Sequence, residues 1–151
     1  MQKILIVDDS ASMRENFLAI LDSIAECQLA ENGRKAVELI QQAPGERAPF
    51  DLVIMDIIMP EKDGLTAVKE IRDFESRMGW HGDDTMTIVI VTTIKDPGRI
   101  LIAQYECGAD AYIAKPFTEE TVLQTLSSNG LKINTKAEVI EDNHNQWGRT
   151  Q

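Results

Sequence analysis

Two short runs, Ile4-Leu5-Ile6-Val7 and Leu52-Val53-Ile54-Met55, are apolar at every position, and acid stops each one: Asp8-Asp9 after the first, Asp56 after the second. Four apolar residues in a row, with no alternation, suit a strand buried on both faces. Such strands belong to parallel sheets covered by helices on either side, so this feature narrows the fold more than any other. Two further runs repeat it. Ile88 to Val91 closes on Thr92-Thr93, and Ala111 to Ala114 closes on Lys115-Pro116. Cys27 to Ala30 is a shorter and weaker strand candidate.

Between the runs the apolar residues fall at helical spacing. Ser12 and Glu15 stand at capping-box separation, and Met13, Phe17, Ile20, Leu21 and Ile24 share one face. Asn32-Gly33 turns into a second helix with Ala36, Val37, Leu39 and Ile40 as its stripe. Pro60 and Gly64 break the chain before a third, marked by Leu65, Val68, Ile71, Phe74 and Met78. Asp96-Pro97 is a cap followed by an N1 proline, and that helix is expected to reach Cys107, with Gly108 as its stop. Thr118 caps a fifth, which runs through Val122, Leu123 and Leu126 to Asn129-Gly130. Strands alternating with helices of this length predict an α/β fold: a five-stranded parallel sheet with helices on both faces. The expected organisation is one domain over 1–128 and a tail over 129–151, too short for an output domain. The polar, Gly-rich stretch Gly79 to Asp84 receives no function.

Composition bears mainly on partners. At 151 residues, 43% apolar, the chain can bury one real core. A formal net charge of −10 argues against a nucleic-acid partner, which would call for a basic face, and suits a basic protein surface or a bound cation. No apolar run approaches the roughly 18 residues of a membrane span, and no signal-peptide pattern is present; a cytoplasmic location is the expectation. Cys27 and Cys107 are isolated in apolar-periodic segments and read as small core residues.

In a parallel sheet all strands end at one edge, where ligands and chemistry collect in open α/β folds. That edge would gather Asp8, Asp9, Asp56, Thr92 and Lys115. Singly, each has a plain role: turn or cap aspartates, an ordinary strand threonine, a solvated lysine. Together they demand more. Three neighbouring carboxylates do not all ionise cheaply without a counter-charge, and a hard cation such as Mg²⁺ relieves the conflict. A metal so placed can offset phosphoryl charge. Lys115 adds a fixed positive charge, and the Thr92 hydroxyl can donate to a phosphoryl oxygen.

Asp8-Asp9, Asp56 with Pro60 and Asp63-Gly64 after it, Thr92, and Lys115-Pro116-Phe117 resemble the receiver domain of bacterial response regulators over about residues 3–128. By length the chain is most similar to the single-domain chemotaxis type. The resemblance implies the flavodoxin-like strand order 2-1-3-4-5. It implies that Asp56 accepts a phosphoryl group from a phosphohistidine on a sensor histidine kinase or phosphotransfer protein. Mg²⁺ would be held by Asp9, Asp56 and the backbone carbonyl of Ile58, with Asp8 acting mostly through water. Lys115 would contact the acyl phosphate, and its bond to Pro116 would be cis. Thr92 would move towards the phosphoryl group and Tyr112 would swing inward behind it, although Tyr112 alone reads as a half-buried sheet aromatic. The site would thereby bias the face of the fourth helix, fifth strand and fifth helix towards an unidentified downstream protein. The implied protein is a switch, monomeric or weakly dimeric, and no enzyme beyond its own phosphorylation and dephosphorylation.

One departure from the family matters. Ile58 and Ile94 occupy two positions that tune acyl-phosphate lifetime, and both are apolar here. Apolar groups over the site give an attacking water no hydrogen bond, so slow self-dephosphorylation is expected. Rival readings fit less well. A phosphatase or mutase with an aspartyl nucleophile would want a second acid where Ile58 stands. A nucleotide or flavin binder would want a Gly-rich phosphate loop after the first strand, where Asp8-Asp9-Ser10 is electrostatically wrong. A receiver used only as an unphosphorylated binding module would usually have lost the acid pair or the lysine. The tail, with Val139-Ile140 and Trp147, reads as a mobile end or as a segment that packs on the domain or on a second protomer.

Overall fold

Five parallel strands form the sheet, in the order β2-β1-β3-β4-β5. The computed structural model describes residues 2–43, 45, 47–59, 63–93 and 97–133. In chain order the elements are β1 (Lys3–Val7), α1 (Ala11–Leu21), β2 (Glu26–Ala30), α2 (Gly33–Gln42), β3 (Leu52–Asp56), α3 (Gly64–Arg77), β4 (Thr87–Thr93), α4 (Pro97–Ile102), β5 (Ala111–Lys115) and α5 (Glu119–Ser128). The unbroken apolar runs are the central strands. Every residue of β3 is buried, because helices cover both faces.

Side chains alternate along a strand, so each strand feeds two cores. Leu5, Val7, Val53, Met55, Ile88 and Ile90 pack under α2, α3 and Ala103. Ile4, Ile6, Leu52, Ile54, Val89, Val91 and Ile113 pack with Phe17 and Leu21 of α1 and Val122 and Leu126 of α5. At roughly 25 cal/mol per Å² of apolar area, these two layers supply most of the driving force for folding.

Several local expectations need correction. Ser10, not Ser12, caps α1: its Oγ accepts the Met13 N–H at 3.3 Å. The Asp8 side chain accepts the Ser10 N–H at 2.9 Å, and this turn starts the helix two residues earlier than the capping box suggests. Met78 is exposed, and the α3 stripe is completed instead by Ala67 and by Glu75, a buried acid. The fourth helix does reach Cys107 and Gly108, but Ala103–Cys107 is wound as a π-helical turn, with the Ala103 carbonyl accepting from the Gly108 and Ala109 N–H groups. Cys27 and Cys107 are free thiols, only partly buried. In the loop after α3, Trp80 is buried edge-on against Phe74. Packing continues past 128, since Leu131 is buried and Ile133 lies against the α1/α5 core. Pro60, Ile94, Asp96 and the tail residues Val139, Ile140 and Trp147 fall outside the described residues.

Candidate functional site

The chemistry-bearing residues meet at the carboxyl edge of the sheet because register brings them there. Val7 pairs with Met55, and Asp56 pairs with Val91, so Asp8 and Asp56 leave adjacent strands at the same level. Alternation gives Asp8, Asp56 and Lys115 the parity of Ile6, Ile54 and Ile113, the α1/α5 side. Ligand-bearing oxygens of Asp8, Asp9 and Asp56 all lie within 4.8 Å of one another. Lys115 Nζ stands 3.7 Å from Asp8 Oδ2 and 3.6 Å from Asp56 Oδ1. The Lys115–Pro116 bond is cis.

Burial makes this cluster electrostatically tense. Asp8 is 1% exposed and Asp56 6%, while Asp9 faces solvent. Desolvation, reinforced by the neighbouring Asp8 charge, pushes the Asp56 carboxyl up to about 6; Lys115 and the Ile58 N–H, which donates to Asp56 Oδ1 at 3.3 Å, pull the other way without prevailing. Asp8 is raised too, chiefly by burial. Its Oδ2 is buried without a hydrogen-bond partner. An orphaned carboxylate oxygen in a triad of acids is the donor set that a hard cation fits, so the residues present suit Mg²⁺.

Thr92 and Tyr112 sit differently. Thr92 is buried, and its Oγ1 donates to the Thr93 carbonyl at 3.3 Å. By parity it shares a sheet face with Ile90 and with Ile90's partner Tyr112, the face away from Lys115. Tyr112 is 44% exposed and points outward here. Ile58, at 66% exposure, is a bare apolar side chain beside Asp56.

Two supporting residues escaped the sequence reading, and a third, Gly64, was read only as a chain break and a motif glycine. Arg14 Nη1 donates to the Asp8 carbonyl at 2.7 Å and fixes that turn, a contact with no local signature. Ser10 orients the Asp8 carboxylate, and its Asp-x-Ser spacing is a recognisable side-chain turn. Gly64 allows α3 to start against the strand that carries Asp56. A Cβ there would collide with the Asp56 carbonyl oxygen and lie 2.8 Å from the Ile57 Cα. The Gly64 N–H donates to the Ile57 carbonyl at 2.8 Å.

Comparison with known proteins agrees with this geometry. The family model described as response regulator receiver domain matches residues 4–127. The chemotaxis protein CheY of Halobacterium salinarum is 39% identical over 127 residues, covering 83% of this chain and 94% of its own. That of Bacillus subtilis is 38% identical over 130 residues, with the same coverage. Among solved structures, the chemotaxis response regulator CheY4 of Vibrio cholerae superposes with a TM-score of 0.70 at 33% identity, covering 85% of this chain and 98% of that one. No helix among the described residues is long and apolar enough to cross a membrane.

Proposed function

Given that the chain belongs to the response regulator receiver domain family, a family of phosphorylation-based signalling switches in two-component systems, we propose that Asp56 is its phosphoacceptor. The observation that carries this is the Lys115 ammonium set between the buried Asp8 and Asp56 carboxylates, with Asp9 alongside. The phosphodonor is a phosphohistidine of a sensor histidine kinase or phosphotransfer protein, and the exchange takes place in the cytoplasm. A carboxylate oxygen of Asp56 attacks phosphorus. The O–P bond forms as the P–N bond breaks, and the leaving imidazole keeps the electron pair and takes up a proton from water.

Asp8, Asp9, Asp56 and the Ile58 carbonyl would hold Mg²⁺, which when bound supplies the positive charge that three clustered carboxylates and an arriving phosphoryl group both lack. Lys115 already faces Asp56 and stays to pair with a phosphoryl oxygen. The Thr92 hydroxyl, with only a long bond to the Thr93 carbonyl, turns to donate to another. Tyr112 then moves inward from its exposed position on the same sheet face. Exposed Leu101, Ile102 and Tyr112 support the face of α4, β5 and α5 as the output surface for a downstream protein. The receiver unit is 1–128, with Leu131 and Ile133 of the following segment packed against it.

Incubation with acetyl phosphate and Mg²⁺, read by intact mass, tests the proposal. One phosphoryl adduct is expected on the wild type, and none on Asp56→Ala or in the presence of a chelator. A folded wild type that gains no adduct would overturn the assignment.

A further inference from the structure

The Lys115 ammonium is placed by what lies behind it. Its distances to the Asp8 and Asp56 carboxylates, 3.7 and 3.6 Å, are longer than hydrogen bonds, and its side chain is only 25% exposed. A lysine stem is flexible, so the reach of Nζ depends on where the end of β5 is held. β5 is the outer strand, hydrogen-bonded to β4 alone, and Lys115 is its last residue. Just beyond it, Phe117 packs against the α1/α5 core. Its ring stacks on that of Phe17 in α1, with centroids 4.8 Å apart and 29° between the planes. Phe17 is fully buried. α1 is itself tied to the acid side of the site: Arg14, one turn before Phe17, holds the Asp8 carbonyl, and the Asp8 carboxylate accepts the N–H of the capping Ser10. One helix therefore holds both sides of the gap between Lys115 and the carboxylates.

With Asp56 as the phosphoacceptor on which this rests, we infer that Phe17 is a positioning residue for Lys115. Its stack on Phe117 fixes the end of β5 to the helix that holds the Asp8 turn, and so sets the reach of the ammonium to Asp56. Phe17 acts through Phe117, at one remove from the reacting groups. Filling the core would by itself give no preference for a ring, since a well-fitting aliphatic side chain does the same. An aromatic pair adds attraction beyond its buried area at centroid separations of about 4.5–7 Å, and two flat rings restrain each other in direction as well as distance. Loss of the stack frees the end of β5 to drift outward, where no further strand stops it. Lys115 then withdraws from Asp8 and Asp56 together. Two effects of opposite sign follow. Phosphoryl transfer loses a charge that pairs with a phosphoryl oxygen, while Mg²⁺, which shares the carboxylates with Lys115, loses a competitor.

Phe17→Leu in the full chain keeps most of the buried volume and removes the ring. Phosphorylation by acetyl phosphate at saturating Mg²⁺, followed by intact mass, is expected to slow roughly tenfold, within the hundredfold that a displacement of about 1 Å can cost. The Mg²⁺ affinity of the unphosphorylated protein, measured by calorimetry, is expected to hold or rise. Phe117→Leu probes the stack from its less buried side and should give the same pair of changes. In a Lys115→Met background, Phe17→Leu should slow the reaction no further. A rate within about twofold of wild type in either folded leucine variant would overturn the inference and leave Asp56 as phosphoacceptor untouched. So would Mg²⁺ affinity that falls along with the rate, which would make the ring a general support of the site, or an equal further loss in the Lys115→Met background. A wild type that gains no adduct would overturn the phosphoacceptor reading itself, and the role of Phe17 with it.

Discussion

Replacing Asp56 with asparagine is expected to stabilise the metal-free fold, although it alters a buried residue at the heart of the site. The carboxyl is raised from 3.8 to about 6. At about 1.4 kcal/mol per pH unit, that rise is a cost of roughly 3 kcal/mol at most once the group is ionised. Asparagine keeps the shape and an oxygen for the Ile58 N–H, and it removes the repulsion from Asp8. It also gives up the attraction of Lys115 and buries an amide that needs partners of its own, so the expected net gain at pH 7.5 is about 1–2 kcal/mol. For a chain of this size each kcal/mol moves Tm by about 2–4 °C. The pH dependence has a definite sign. Because Asp56 binds its proton more tightly folded than unfolded, its contribution is complete below about pH 4 and is lost as pH rises through about 6. The wild type should therefore lose stability over that window, and the variant should pull ahead of it only as pH climbs. Urea unfolding with a chelator at pH 4.5 and 7.5 reads both effects. Saturating Mg²⁺ should then raise the wild type by about 2.7 kcal/mol at a hundred times the dissociation constant, and the variant by less. A variant less stable than wild type at pH 7.5 without metal, or a gain equal at both pH values, would refute the reasoning.

Three other substitutions probe separate parts of the argument. Gly64→Ala forces a methyl against the backbone of Asp56 and Ile57; a loss of about 2–3 kcal/mol in urea unfolding is expected, with slower phosphorylation by acetyl phosphate because Asp56 is displaced. Arg72→Met strips a buried acid, Glu75, of its partner at 2.7 Å and should cost about 3–5 kcal/mol; the Arg72→Met, Glu75→Met double variant should recover part of that in a double-mutant cycle. Ile58→Asn offers a hydrogen bond to water beside the acyl phosphate, and loss of the phosphoryl group followed by intact mass should quicken about tenfold, the worth of one such bond; an unchanged lifetime would show that Ile58 does not restrain hydrolysis.

What the sequence disclosed and what it withheld divide along a physical line. The apolar runs Ile4 to Val7 and Leu52 to Met55 identify their strands because burial on both faces leaves no room for alternation, and the acids that end them mark the edge where Asp8 and Asp56 meet. Such signals are local. The Thr118 cap was legible for the same reason, since its side chain accepts the N–H three residues on; Asn32, read only as a turn, caps α2 in the same way, and the α1 cap was placed two residues late. The reading failed where a residue's partner is remote in sequence. Glu75 drew no reading at all, yet it is 3% exposed, because Arg72 and the Met86 N–H both reach its carboxylate at 2.7 Å. Arg72 also donates to the carbonyls of Met86 and Gly108 and to Asp110, and Asp110 accepts the Ile88 N–H. One guanidinium thus joins α3, the start of β4 and the end of the π-helical turn, across separations of 14, 36 and 38 residues that no window of sequence could reveal. It ties down the far end of the fourth helix, at the edge opposite Asp56. On the proposed switch, movement of Thr92 and Tyr112 would be taken up nearer the site, in the first turns of α4 and the strand ends that hold the charge.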